Sequence, residues 1–215
     1  MPEMSQSAQR FCRSAPWRLV AGRVVLPWAL QGAVPQGDVL EIGCGSGAMA
    51  AAVLRRFPAV QMTATDFDES MVQAARARLS PFGGRAEVRQ ADATALPFDD
   101  ASFDLVLSFV MLHHVVRWEE AVGELARVLR PGGRIVGYDL FADGGGRVLH
   151  RPRHDHGHDH DRDHDRDHDH DHIDEVRLMR RAELQQAFGA LPLEDAMIRP
   201  ILGGTIGRFR ARKAA

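Results

Sequence analysis

The residues best placed to do chemistry are three glycines and three acids at the ends of apolar runs. Glu41-Ile42-Gly43-Cys44-Gly45-Ser46-Gly47 closes one apolar run and opens an amphipathic one. Glycines at such a turn expose bare backbone N–H groups at a helix start, against which a ligand can lie. Asp66 stands nineteen residues past Gly47, at the end of the next apolar run. A carboxylate there can accept hydrogen bonds from both hydroxyls of a ribose. Asp92 follows a third, shorter run, where it can accept a hydrogen bond from an adenine amino group. The three acids with the glycine turn point to an adenosine-containing cofactor. His113 and His114 come just after a fourth apolar run. An imidazole, with an ordinary pKa of about 6.5, can take a proton from a hydroxyl or nitrogen nucleophile. Each histidine also has a structural reading, one satisfying a carbonyl and the other covering a helix start.

Two cofactors compete for the turn. Gly43-x-Gly45-x-x-Ala48 satisfies a loose dinucleotide fingerprint. Glu41, however, would meet a pyrophosphate with like charge, and suits instead a ligand carrying an ammonium and a sulfonium, S-adenosylmethionine. The alternative, an NAD(P)-dependent oxidoreductase, needs a catalytic pair such as Tyr/Lys, for which the chain offers only Tyr138 and Lys213.

The elements that must position these residues alternate between strand and helix, the pattern of an α/β fold with a largely parallel sheet. Strands are expected at 38–42, 60–65, 86–90, 103–109 and 134–138, and helices at 48–57, 68–79 and 118–129. Asp68 is placed to cap the second helix, and Pro131-Gly132-Gly133 to break the third. Later, 181–188 reads as a helix, and 193–199 with 205–212 as a hairpin through Gly203-Gly204. The stretch 17–30 reads as a helical cap. Within it Trp17, Arg18 and Trp28 are candidates to roof a pocket, and Tyr138 and Asp139 are secondary site candidates.

Composition bounds the rest. The 215 residues suffice for one domain, and 45% hydrophobic with 26% charged residues is globular usage. No apolar run approaches the roughly 20 residues that span a bilayer. The first thirteen residues lack the apolar core of a secretory signal, and Cys12 and Cys44 cannot build a disulfide framework, so a soluble, cytoplasmic protein is expected. Only Lys213 among the 27 basic residues is a lysine. Residues 151–174 hold nine Asp and four Arg, a local charge of −5, within a net charge of −2. The remainder is only mildly basic, which does not suggest a nucleic-acid surface.

That His/Asp-rich segment, 143–174, is expected to be a disordered insert between two parts of one domain, 37–142 and 175–215, with residues 1–36 as the cap. Its imidazoles and carboxylates suit adventitious zinc or nickel binding, but no fixed spacing defines a closed metal site. A metal-binding protein on a cofactor scaffold is the non-enzyme alternative.

The motifs taken together resemble the class I S-adenosylmethionine-dependent methyltransferases of small-molecule type. VLEIGCGSG (39–47), TDFDESMVQAAR (65–76), DATALPFDDASFDLVLS (92–108) and RVLRPGGRIVGYD (127–139) match that family's motifs in order and spacing. The resemblance implies a Rossmann-like, seven-stranded, mostly parallel sheet with helices on both faces and the last strand antiparallel. It implies that Gly43, Gly45 and Gly47 approach the methionine part of the cofactor, with Glu41 near its amino group. Asp66 would hold the ribose, Phe67 would pack on the adenine face, Asp92 and the Ala93 N–H would reach the ring, and Ser108 would lend its carbonyl. The activity implied is methyl transfer to an oxygen, nitrogen or carbon of a small acceptor; a base is optional there, and from their place after the fourth apolar run His113 and His114 are the candidates for it. The long insert departs from the family pattern.

Overall fold

The computed structural model describes residues 20–143 and 178–215; Cys12, Trp17, Arg18 and nearly all of the His/Asp-rich segment lie outside the described residues. The described elements run, in chain order, α1 (Leu26–Leu30), β1 (Gly37–Ile42), α2 (Ala48–Arg56), β2 (Val60–Asp66), α3 (Glu69–Leu79), β3 (Ala86–Gln90), β4 (Phe103–Phe109), α4 (Trp118–Val128), β5 (Leu129–Leu140), α5 (Arg181–Gly189), β6 (Leu193–Ile201) and β7 (Ile206–Lys213).

The strands form a seven-stranded sheet ordered β3-β2-β1-β4-β5-β7-β6. β1 to β5 pair in parallel, and β7 runs antiparallel to both of its neighbours. The direction of winding reverses between β1 and β4, which puts a crevice at the carboxyl ends of those two strands. Alternate residues of each strand feed two cores. Val39, Leu107 and Val136 meet Val53, Leu54 and Ala75 on the face covered by α1, α2 and α3. Leu40, Val106 and Ile135 meet Val122, Leu125 and Phe188 on the face covered by α4 and α5.

Local chemistry explains the boundaries. The Asp68 side chain accepts the Ser70 N–H at 2.7 Å and so caps α3. The guanidinium of Arg127 on α4 bonds the carbonyls of Leu96 and Phe98 and the Asp100 carboxylate, tying the β3–β4 connection to that helix.

Two expectations change. The first concerns β5, which starts at Leu129 rather than at residue 134. Phe103 pairs with Leu129 and Leu105 with Arg134, so Pro131-Gly132-Gly133 bulges out of the ladder instead of preceding it. Proline has no N–H to donate, and the extra residues loop away. The second concerns the cap. Only Leu26–Leu30 is α-helical, after a π-helical turn at Ala21–Val25. Pro27 can enter a helix only in its first turn, so the regular helix begins there.

Candidate active site

The carboxyl ends of β1, β2 and β4 bring the predicted residues together. Gly43, Gly45 and Gly47 all lie in the left-handed region, with φ of 60°, 53° and 74°. At Gly43 space is excluded as well as strained: a Cβ would run into the side chain of Met111. The turn is held from β2, with Cys44 N–H donating to Thr65 O at 2.9 Å and Gly45 N–H to Asp66 Oδ2 at 2.7 Å. Asp66 Oδ1 also accepts the Asp68 N–H at 3.0 Å, so both carboxylate oxygens are fixed at the lip of the glycine turn.

Glu41 is 2% exposed, and its Oε2 has no hydrogen-bond partner. Burial, and then the nearby Asp66 carboxylate, push its pKa from the ordinary 4.5 up to about 8, against the opposing pull of the Ala50 N–H. Burial likewise raises Asp66, opposed by the Asp68 and Gly45 N–H groups. The Cys44 thiol is pushed up by burial and by both acids. A buried carboxylate oxygen without a donor is costly and calls for a cation. The ammonium and sulfonium of S-adenosylmethionine fit this donor set, and a pyrophosphate does not.

The remaining residues expected at a cofactor follow along the same edge. Phe67, directly after β2, is 44% exposed. Asp92 takes both the backbone N–H and the hydroxyl of Thr94 on Oδ1, each at 2.8 Å. Burial pushes the Asp92 carboxyl up, but the two Thr94 bonds and Arg117 outweigh it and hold the group below its ordinary value. Ala93 is buried beside it. Ser108 is fully buried at the end of β4, in register with Ile42 on one side and Gly137 on the other, and its Oγ has no partner.

The two histidines separate. His113 is 4% exposed, and its Nδ1 lies 2.5 Å from Oδ1 of the fully buried Asp139. Asp139 already accepts the N–H groups of Met111 (3.1 Å) and Leu112 (2.8 Å) on Oδ2, and of Leu140 (2.7 Å) on Oδ1. An acceptor so used orients the imidazole with Nδ1–H donating, which leaves the lone pair on Nε2. His114 is half-buried, its ring centroid 3.9 Å from that of His113. Sequence reasoning named Asp139 only as a secondary candidate and did not pair it with His113. It also missed Val110, a β-branched residue at φ 54° that begins the loop after β4. Such a conformation is strained and persists where surrounding structure imposes it; here the Val110 N–H is tied to Tyr138 O at 2.9 Å.

A cavity of about 680 Å³ opens at the other edge of the sheet, lined by Gly37, Ala59, Asp104, Pro131 and Arg134 among others. It lies at the amino ends of the parallel strands and takes no part in this site. Among the described residues no three His, Cys, Asp or Glu side chains converge as a metal site.

The chain is similar to known proteins. Residues 40–137 match the family model described as a methyltransferase domain. A demethylmenaquinone methyltransferase of Clavibacter sepedonicus is 37% identical over 139 residues, 58% of this chain and 53% of that protein. A fatty-acid O-methyltransferase of Mycolicibacterium smegmatis is 38% identical over 127 residues, 59% of this chain and 42% of that protein. The chain thus spans about half the length of the curated relatives it matches. In fold it is similar to a SAM-dependent methyltransferase of Aquifex aeolicus, with a TM-score of 0.69 at 15% identity, covering 98% of this chain and 99% of that one. The sheet order, the glycine turn and the acids at successive strand ends thus accompany a match, over a little under half of the chain, to the methyltransferase domain family.

Proposed function

We propose that this chain transfers a methyl group from S-adenosylmethionine to an oxygen, nitrogen or carbon atom of a small-molecule acceptor. The observation that carries the reading is the buried, partnerless Oε2 of Glu41 beside three left-handed glycines. When bound, the cofactor supplies an electrophilic methyl on a sulfonium. Glu41 holds the ammonium, the backbone of the glycine turn lies along the methionine part, and the Ser108 carbonyl faces it from β4. Asp66 accepts from the ribose hydroxyls, Phe67 covers one face of the adenine, and Asp92 with the Ala93 N–H reads its edge. Positioning and dehydration supply much of the rate in such a displacement. His113, oriented by Asp139, takes the proton from a hydroxyl or N–H acceptor through Nε2, and His114 is the neighbouring candidate for that role.

The relatives' names, among them a ubiquinone/menaquinone biosynthesis C-methyltransferase and a fatty-acid O-methyltransferase, support a small acceptor attacked at carbon or oxygen. No helix among the described residues is long and apolar enough to cross a membrane, and Cys44 is a free thiol. The free thiol supports a cytoplasmic setting. Calorimetry tests the cofactor: S-adenosylhomocysteine should bind, and Asp66→Ala should weaken it by about 1.5–3 kcal/mol through loss of charged-acceptor hydrogen bonds. Tighter binding of NAD than of S-adenosylhomocysteine would overturn the reading.

A further inference from the structure

Among the described residues, three buried side-chain polar atoms have no hydrogen-bond partner: Glu41 Oε2, Ser108 Oγ and Arg208 Nε. Glu41 and Ser108 stand near the carboxyl ends of β1 and β4. Arg208 stands near the start of β7, and because β7 runs antiparallel it reaches the same edge of the sheet. The first two belong to the cofactor's place. The third does not.

The pairing register fixes where Arg208 points. Phe109 pairs with Tyr138, Tyr138 with Arg208, and Arg208 with Arg199. Residues directly paired across a sheet share a face. Glu41 pairs with Leu107, two residues before Phe109, so Glu41, Phe109, Tyr138 and Arg208 all lie on the face under α1. Trp28 of α1 covers this row. Its ring meets Tyr138 edge-on at 5.1 Å, and the Arg208 guanidinium sits over it at 5.1 Å. Phe109 and Tyr138 are in ring contact at 5.5 Å. Arg208 spends one bond on the Trp28 carbonyl, Nη1 to O at 3.0 Å, and pairs with no carboxylate among the described residues. Its neighbours on the same face, Arg199 and Arg210, are exposed and likewise form no ion pair among the described residues.

Natural folds rarely leave like charges facing across strands with no counter-charge, or a half-buried guanidinium with an orphaned donor. An anion seated against the accessible part of this half-buried side chain supplies the missing counter-charge. We propose, building on the methyltransferase reading above, that Arg208 anchors the acceptor: the substrate is an organic acid whose carboxylate meets the Arg208 guanidinium and whose flat apolar body lies against Trp28, Phe109 and Tyr138. Two strand spacings, about 10 Å, separate the β4 end from β7. The atom that receives the methyl therefore sits about that far from the carboxylate. A planar fork of N–H donors suits a carboxylate better than a point charge does.

Calorimetry with a matched pair of probes tests this. 2-Naphthoate and the uncharged 2-naphthalenemethanol share an apolar body and differ in charge. Each is titrated into protein saturated with S-adenosylhomocysteine, and into the free protein. Wild type should prefer the acid by about tenfold or more, the scale of a charge-assisted bidentate pair. Arg208→Gln, which keeps a donor for the Trp28 carbonyl, should abolish that preference while S-adenosylhomocysteine affinity and melting temperature hold. Arg208→Lys should keep only part of it, and Arg210→Gln nearly all. Equal binding of acid and alcohol to wild type overturns the proposal without need of any variant. So does a preference that survives Arg208→Gln. If S-adenosylhomocysteine fails to bind, the cofactor reading falls; an acid preference in the free protein that depends on Arg208 would still support the anion site.

Discussion

Glu41 should make cofactor binding depend on pH, and the size of the effect follows from its burial. In the free protein its carboxyl titrates at about 8, so at neutral pH the group is mostly protonated. Pairing with the ligand's ammonium requires the carboxylate, so binding must expel a proton. Linkage then fixes the profile: affinity falls by about tenfold per pH unit below 8, reaching about 100-fold at pH 6. Asp66, raised in the same direction, steepens the acid end. Glu41→Gln imitates the protonated state, so its affinity should stay low throughout and meet that of wild type near pH 6. The assay is calorimetry of S-adenosylhomocysteine from pH 5.5 to 8 in buffers of different ionisation enthalpy. The ratio of wild type to variant cancels the ligand's own titration. Close to one proton should be released at pH 7. Stability should move the opposite way. The folded-state pKa is above the ordinary 4.5, so the stability associated with the neutral group is complete below about 4.5 and lost as pH rises through about 8. In the free protein at pH 8.5, Glu41→Gln should therefore exceed wild type by about 4 kcal/mol in urea unfolding. Flat affinity, or no proton release, would refute the role given to Glu41.

Three further outcomes are expected. Gly43→Ala should weaken S-adenosylhomocysteine binding and lower stability by about 1–3 kcal/mol, because the new methyl meets Met111; adding Met111→Ala should restore part of both, and no restoration in urea melts would show that backbone strain alone is responsible. Asp139→Asn should lower the unfolding free energy by about 3–5 kcal/mol, as expected when one partner is removed from a buried pair; a change below 1 kcal/mol would deny its place as the hub of the loop after β4. His113→Gln should lower turnover of a true acceptor by about 100-fold or more with cofactor affinity unchanged, and unchanged turnover would assign His113 a structural role only.

The residues proposed to hold the cofactor could be picked out in the sequence because the chemistry expected of them is local. Each of Glu41, Asp66 and Asp92 sits beside a turn signal at the end of an apolar run, and the parallel sheet aligns such ends at one edge. Strand β4, an uninterrupted apolar run, was read to the residue. The His113–Asp139 bond was hidden, because it joins residues 26 apart through a register that sequence patterns do not encode. Arg208 was hidden more thoroughly. One arginine among many carries no signal until the pairing with Tyr138 and the approach of Trp28 single it out. The bulge at Pro131-Gly132-Gly133 was misplaced since proline and glycine mark an interruption without saying whether it falls before a strand or inside one.

The position of β7 has a consequence for how this protein is made. The strand latest in sequence is inserted between β5 and β6 rather than added at the rim. Until residues 206–213 have left the ribosome, β6 has no neighbour to pair with and β5 presents a bare edge. The Gln31 amide, which donates to Phe209 O at 2.9 Å across 178 positions of sequence, waits for the same segment. The nascent chain must therefore carry an open sheet edge until that segment emerges. Contacts of such long range form slowly, and an unpaired edge invites pairing with another chain. Closure of the sheet thus waits on residues 206–213, and their removal should yield aggregates rather than a smaller soluble fold.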